Sequence, residues 1–235
     1  MMRKTVFIII AALLAAVGCS RVSSSDAGSG ASVADKRVAR AALDPAKVKN
    51  GKKIFEQMCV ACHQPDGVGK PGIAPRLNSP DFLGLASDEF IRTTILEGRP
   101  GTAMMSYKLI PQVAENVDDL VAYIRSWQYD YANFTDYHVD WNKKIQGDAA
   151  RGQQLFRHYC ASCHGYNGGG YADGGAGPGI GLPGFLKVAS DDYIKKTIQI
   201  GRAGTAMKPF GHGRGLANID EKDIDDIVAY LRSLE

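Results

Sequence analysis

Apolar residues recur at helical spacing in two segments of the chain, residues 119–126 and 226–233. In both segments they are spaced so that several share one side of a helix, which is typical of a helix with one face in the core. The apolar and aromatic positions are Leu120, Val121, Tyr123 and Ile124 in the first segment, and Ile227, Val228, Tyr230 and Leu231 in the second. Ser87 and Ser190, each followed by two acidic residues, predict the starts of two more helices, because serine caps a helix and acids favour its first turn. The pattern therefore predicts a mainly helical protein.

These segments belong to an internal repeat that covers most of the chain. Residues 48–55 match 149–156 at a spacing of 101, and residues 98–104 match 201–207 at a spacing of 103. The spacing increases only in loop segments, as expected where insertions fall between the elements of one duplicated fold. The repeat predicts two domains and a linker. Their bounds are 46–127 for the first domain, 128–147 for the linker and 148–235 for the second domain.

Each repeat contains one CxxCH segment. The residues are Cys59, Cys62 and His63 in the first repeat, and Cys160, Cys163 and His164 in the second. Two cysteines separated by two residues and followed by histidine form the attachment pattern of c-type haem: the thiols can bond to the haem vinyl groups and the histidine can ligate iron. A single such segment would also suit a redox dithiol or half of a zinc site. Its recurrence in two copies of one fold favours two covalently bound haem c groups.

With these segments in place, the chain resembles class I cytochrome c, present twice as in the tandem di-haem cytochromes c. The resemblance implies an all-α fold of two class I cytochrome c domains. In that family a glycine and an aromatic residue on the first helix pack against an aromatic residue on the last helix. The matching residues are Gly51, Phe55 and Tyr123 in the first repeat, and Gly152, Phe156 and Tyr230 in the second.

The resemblance also implies a methionine as the second axial ligand of each iron. Met104 and Met207 lie at equivalent places, each in a Gly-Thr-Ala-Met sequence within a loop rather than on a helical stripe. A thioether ligand favours ferrous iron and raises the reduction potential. Met105 has no methionine counterpart, and we expect it to pack near the haem. His212, in a loop of the second repeat alone, is the main rival for the second iron, but the preferred interpretation is a loop histidine near the haem edge.

Two further pairs of residues belong to the predicted sites. In the family, the carbonyl of a proline after the CxxCH segment accepts a hydrogen bond from the ligating histidine, and Pro75 and Pro178 match that proline. Such a bond fixes the ring and raises its basicity. Arg99 and Arg202 suit either of two settings, contact with haem propionates or exposure to solvent. His138 and His158 have no counterparts and are expected at the surface.

The N-terminus reads as an export signal over residues 1–18, with Arg3 and Lys4 before an apolar run that is too short to span a bilayer as a helix. Residues 16–19 resemble a lipoprotein cleavage site, and Cys19 is the one cysteine outside the CxxCH segments. This predicts a lipid anchor on Cys19. Residues 19–45, rich in Ser, Ala and Gly, then predict a flexible tether. The expected location is the periplasmic side of a bacterial membrane.

The linker and the overall charge complete the picture. Residues 128–147 carry five aromatic side chains, more than a floppy linker needs, and we expect them to pack along the domain interface. The formal net charge of +3 and the absence of a basic motif give no reason to expect nucleic-acid binding.

These features favour a di-haem carrier that passes single electrons between periplasmic or membrane-bound redox protein partners, and no catalytic residues are predicted. Two alternatives remain open. One is a haem enzyme, such as a peroxidase or a sulfur or nitrogen oxidoreductase, which would need an iron with an open or displaceable ligand. The other is a cytochrome subunit of a larger dehydrogenase or oxidase complex.

Overall fold

The structure, a computed structural model, describes residues 43–131, 134–213, 215 and 217–235; Cys19 and residues 1–18 lie outside the described residues. Within these ranges the chain is helical and contains no β-strand, only two isolated bridges, Lys70 with Ala74 and Gly211 with Ile219. The predicted all-α class is confirmed. Among the described residues, no helix combines the length and apolar character needed to cross a membrane.

The first repeat is built from six helices. They are α1 (Pro45–Met58), α2 (Val60–His63), α3 (Pro80–Leu85), α4 (Asp88–Glu97), α5 (Pro111–Ala114) and α6 (Val117–Ser126), with 3₁₀ turns at Pro65–Gly67 and Trp127–Asp130. Helix α1 begins where the Asp44 side chain accepts a hydrogen bond from Ala46 N at 2.8 Å. Helix α4 begins, as predicted, with Ser87 Oγ accepting from Phe90 N at 3.0 Å.

The second repeat has the same order of α-helices, apart from the counterpart of α5. Its helices are α7 (Ala149–Tyr159), α8 (Ala161–His164), α9 (Pro183–Leu186), α10 (Asp191–Ile200) and α11 (Glu221–Arg232), with a 3₁₀ turn at Gly170–Asp173. The predicted cap of α10 is present, because Ser190 Oγ accepts from Tyr193 N at 3.1 Å.

The first and last helices of each repeat cross at a glycine. A methyl group on Gly51 would lie 1.9 Å from Asp119 O, and one on Gly152 would lie 1.9 Å from Asp226 O, so the helices approach closely only because these side chains are absent. An aromatic pair packs beside each crossing, Phe55 with Tyr123 at 5.5 Å and Phe156 with Tyr230 at 5.3 Å between ring centroids. The predicted contact is confirmed in both repeats.

The two repeats and their linker belong to one compact unit. Trp141 of the linker packs against both Phe90 of the first repeat and Tyr193 of the second, with ring centroids 5.6 Å and 5.5 Å away. Backbone N–H groups of the linker donate to buried carboxylates of α10, Asp140 N to Asp192 at 2.9 Å and Ile145 N to Asp191 at 2.8 Å. The predicted packing of this aromatic segment against the domains is therefore present.

Candidate haem sites

The cysteines of each CxxCH segment are held on one turn of helix. Helix α1 ends at Met58, and Cys59 O then accepts from Cys62 N at 3.2 Å and from His63 N at 2.9 Å. In the second repeat Cys160 O accepts from Cys163 N at 3.1 Å and from His164 N at 2.9 Å. The two thiols and the imidazole are thus presented in the same local geometry twice. In each pair the first cysteine is half-buried and the second is exposed.

The environment of the thiols argues against a redox dithiol or a zinc site. All four cysteines are free, and burial raises the pKa of Cys59 to about 11 and of Cys160 to about 12. A reactive redox cysteine requires the thiolate, which a lowered pKa favours. Within the described part of the chain, no three His, Cys, Asp or Glu side chains are grouped so as to hold a metal ion. The arrangement instead fits thioether attachment of a haem.

The two histidines are buried, and each hydrogen-bonds to the carbonyl of the proline at the equivalent position of its own repeat. His63 Nδ1 lies 3.1 Å from Pro75 O, and His164 Nδ1 lies 2.8 Å from Pro178 O. Because a carbonyl oxygen only accepts, Nδ1 carries the proton and donates in each case. Burial lowers the pKa of both histidines, although the hydrogen bond to proline opposes it, so the imidazoles are neutral at pH 7. The other ring nitrogen of each histidine therefore keeps its lone pair for iron.

The two methionines lie in loops of the same form. A glycine ends the preceding helix in a conformation open only to glycine, Gly98 at φ 68°, ψ −159° and Gly201 at φ 75°, ψ −158°. Each loop is then closed between its arginine and its methionine, by Arg99 N donating to Met104 O at 2.7 Å and Arg202 N donating to Met207 O at 2.7 Å. Both methionines are half-buried.

Threonine completes each loop. Thr102 Oγ1 accepts from Met104 N at 3.1 Å, and Thr205 Oγ1 accepts from Met207 N at 3.0 Å. The Gly-Thr-Ala-Met sequence is thus a structural unit in which the threonine hydroxyl orients the methionine backbone. Met105, by contrast, is 57% exposed.

The arginines of these loops are not simply solvated. The Arg99 guanidinium lies over the rings of Phe90 and Phe185, 5.2 Å and 5.5 Å from their centroids, and burial lowers the pKa of Arg99 to about 10. Arg202 lies over Phe82 and Tyr193 at 5.8 Å and 5.5 Å. The interpretation as exposed side chains is therefore wrong for Arg99. The remaining histidines, His138, His158 and His212, are exposed, as predicted for the first two.

Sequence reasoning missed the contacts that reach these loops from the opposite repeat. Asp81 of the first repeat accepts from Ala203 N of the second at 2.5 Å. No sequence signal marks this pair, because the residues are 122 positions apart and the equivalent of Asp81 in the second repeat is Gly184.

Comparison with known proteins agrees with this arrangement. The family model described as cytochrome c oxidase, cbb3-type, subunit III matches residues 46–124 and 147–231, one stretch in each repeat. The cbb3-type cytochrome c oxidase subunit FixP of Bradyrhizobium diazoefficiens is 30% identical over 209 residues, covering 87% of this chain and 66% of that protein. Subunit CcoP of Rhodobacter capsulatus is 29% identical over 195 residues, covering 78% of this chain and 61% of that protein.

More partial likenesses were also found. Cytochrome c-555 of Methylococcus capsulatus is 38% identical over 77 residues, covering 32% of this chain and 58% of that protein. A chain of the Kuenenia stuttgartiensis reducing HAO-like protein complex Kustc0457/Kustc0458 has a TM-score of 0.47 and 19% identity, over 79% of this chain and 96% of that one, which is too distant to bear on function. The chain spans between 60% and 66% of the length of the first oxidase subunits it matches. Since the family model covers both repeats, the chain belongs to the family of cbb3-type cytochrome c oxidase subunit III.

Proposed function

We propose that this protein is a di-haem c-type cytochrome that passes single electrons, as a subunit or close partner of a membrane-bound terminal oxidase. The observation that carries the proposal is the duplication of one complete site. Each repeat presents two free thiols, a neutral buried histidine held by a proline carbonyl, and a methionine in a closed loop. A chain with two such sites has no need of a catalytic side chain.

The proposed ligands follow from these positions. The cysteine pairs, Cys59 with Cys62 and Cys160 with Cys163, provide the thioether sulfurs. His63 and His164 provide the first axial nitrogen, and Met104 and Met207 the second axial sulfur. A bound haem c supplies an iron that changes by one electron between its ferric and ferrous states.

The protein's own residues set how that change occurs. The carbonyls of Pro75 and Pro178 hold each imidazole in one orientation and increase its basicity. A neutral thioether opposite the imidazole favours ferrous iron and raises the potential.

Location and partners are proposed from the sequence and the relatives. Residues 1–18 act as an export signal, Cys19 carries lipid, and residues 19–45 tether the two domains at the periplasmic side of a bacterial membrane. The relatives' printed names describe subunits of cbb3-type cytochrome c oxidase, which supports redox proteins of a respiratory complex as the partners of this chain. In cells that lack the oxidase, replacing Cys19 with serine would release the protein from the membrane fraction, whereas unchanged membrane binding there would refute the lipid anchor.

The optical spectrum of the ferric protein tests the proposed ligands. Methionine–iron ligation gives a weak charge-transfer band in the red, and we expect the wild type to show the intensity of two such haems. Met104→Ala and Met207→Ala should each remove about half of that band, while Met105→Ala, a matched control at an exposed methionine, should leave it unchanged.

The same sample distinguishes a carrier from a haem enzyme. Two irons with both axial positions filled bind added cyanide slowly. A wild-type protein with half of the band, or with a high-spin component that binds cyanide at once, would contradict the carrier and assign an open iron to one repeat.

A further inference from the structure

The two methionine loops lie at the contact between the repeats. We define loop 1 as residues 98–104 and loop 2 as residues 201–207. Each loop is closed internally by its arginine, threonine and methionine, but each also contacts the opposite repeat. These external contacts have no role in the function proposed above.

Loop 2 is held by polar side chains of the first repeat. Asp81 Oδ2 accepts from Ala203 N at 2.5 Å, and Arg76 Nη1 donates to Gly204 O at 3.4 Å. A methyl group on Gly204 would lie 2.4 Å from Arg76 Nη1, so the guanidinium covers this glycine closely. The other oxygen of Asp81 accepts from the hydroxyl of Tyr137 in the linker at 3.4 Å. The carboxylate is thereby oriented toward loop 2.

Loop 1 is held by backbone and apolar groups of the second repeat. Gly184 O accepts from Arg99 Nη1 at 2.5 Å. A methyl group on Gly184 would lie 2.5 Å from Pro100 Cδ and 2.8 Å from Pro100 N, so this position admits no side chain while loop 1 is in place. Leu182 packs over Gly101, where a methyl group would lie 3.3 Å from its Cδ1.

These contacts are related by approximate two-fold symmetry. Asp81 and Gly184 occupy equivalent positions, as do the rings Phe82 and Phe185. Arg99 lies over Phe185 and Arg202 lies over Phe82, so each arginine reaches the ring of the opposite repeat. The equivalent residues Phe90 and Tyr193 meet each other with ring centroids 4.7 Å apart, as expected for residues next to a two-fold axis. Each repeat therefore contacts and holds the methionine loop of the other.

We propose that each methionine loop is held in its ligating form by the opposite repeat, with Asp81 a positioning residue for Met207 and Gly184 a positioning residue for Met104. This inference rests on the proposed methionine ligation. A ligand carried on a loop is precise only if surrounding groups fix that loop. Breaking the contacts that hold one loop increases the fraction of time in which that loop is open and its methionine is away from the iron. The effect of a change in one repeat falls on the iron of the other.

Asp81→Ala and Gly184→Ala test the inference as a pair. The measurement is the rate of cyanide binding to each ferric haem, together with the red charge-transfer band. The two haems are assigned by comparison with Met104→Ala and Met207→Ala. Matched controls are Asp130→Ala, an exposed aspartate, and Lys187→Ala, an exposed residue three positions after Gly184.

We expect a crossed result. Asp81→Ala should speed cyanide binding at the Met207 haem about tenfold, as for loss of one hydrogen bond to a charged group, and leave the Met104 haem unchanged. Gly184→Ala should speed binding at the Met104 haem and leave the Met207 haem unchanged. Asp81→Asn, which keeps an acceptor oxygen, should lie between the wild type and Asp81→Ala; it also serves if Asp81→Ala does not fold.

Three outcomes would overturn the inference: each variant affecting the haem of its own repeat, both haems responding equally, or neither haem responding. These differ from a failure of the proposed function. A wild-type spectrum without the methionine band contradicts the ligand assignment itself, whereas a full wild-type band with uncrossed variants contradicts only the bracing between repeats.

Discussion

The residue before each site proline distinguishes the two haem sites. Gly177 precedes Pro178, and a methyl group there would lie 2.9 Å from Cε1 and 3.0 Å from Nδ1 of His164. The first repeat has that methyl group in Ala74, and its hydrogen bond from histidine to proline is 3.1 Å, compared with 2.8 Å in the second. The additional methyl group of Ala74 therefore coincides with a longer hydrogen bond between the axial histidine and the proline carbonyl.

We expect Gly177→Ala to lengthen the bond between His164 and Pro178 and to raise the potential of the second haem, because a less basic imidazole stabilises ferric iron less. Weakening a hydrogen bond by about 1 kcal/mol corresponds to roughly 40 mV for one electron. Spectroelectrochemical titration measures the change. Ala74→Gly should lower the potential of the first haem, and Ala176→Ser, at an exposed neighbour, is the control. Shifts of the opposite sign would contradict this account.

The close packing of the first and last helices of each repeat depends on a glycine at the point where they cross. At Gly152 the approach of α7 to α11 leaves no room for a methyl group, which would overlap Asp226 O at 1.9 Å. We expect Gly152→Ala to lower the free energy of unfolding by about 3 kcal/mol, at the upper end for overpacking. Urea unfolding of the haem-loaded protein measures it. Gln154→Ala, on the exposed face of the same helix, should change stability little. Equal stability of the two variants would show that the helices can move apart freely.

The linker is attached to α10 by charge as well as by aromatic packing. Burial of the Asp192 carboxyl raises its pKa. Hydrogen bonds from Lys196 and Asp140 N, and the charges of Lys196 and Lys143, more than offset this effect, so the pKa lies below its ordinary value of 3.8. A lowered folded-state pKa stabilises the fold fully above pH 3.8, and this contribution is lost as the pH falls through the lower folded-state value.

We therefore expect Asp192→Asn to lower the free energy of unfolding by about 2 kcal/mol at pH 7, as for hydrogen bonds to a charged group. The difference from the wild type should disappear as the pH falls below 3.8, the ordinary pKa of the carboxyl. Denaturation at a series of pH values measures the difference, with Asp130→Asn at an exposed aspartate as the control. A difference that is independent of pH would show that the charge of Asp192 is not involved.

At the scale of the whole molecule, the sequence predicts the features that recur in both repeats and misses the individual side-chain contacts by which the repeats meet. Local or repeated patterns mark the attachment segments, the proline partners, the serine caps and the glycine crossings. The fold shows all four features directly. The contact of Asp81 with loop 2 joins residues 122 positions apart whose equivalents differ in type. Likewise, only the packed structure places Arg99 over the rings of Phe90 and Phe185. Periodicity describes each element, whereas docking of the repeats depends on side chains that periodicity does not relate.

That docking suggests that the two repeats unfold as one. Trp141 connects them, since its ring lies 5.6 Å from Phe90 and 5.5 Å from Tyr193. Truncating a large aromatic side chain costs about 3 kcal/mol, and here the loss falls on the contact between the repeats rather than on either core. We expect Trp141→Ala to separate one thermal transition into two, measured by calorimetry and by the haem absorbance of each repeat. Tyr166→Ala, at an aromatic residue that is 71% exposed, should preserve the single transition. If Trp141→Ala also unfolds in one step at a lower temperature, the repeats are joined mainly by their other contacts, those of the two methionine loops and that of Phe90 with Tyr193.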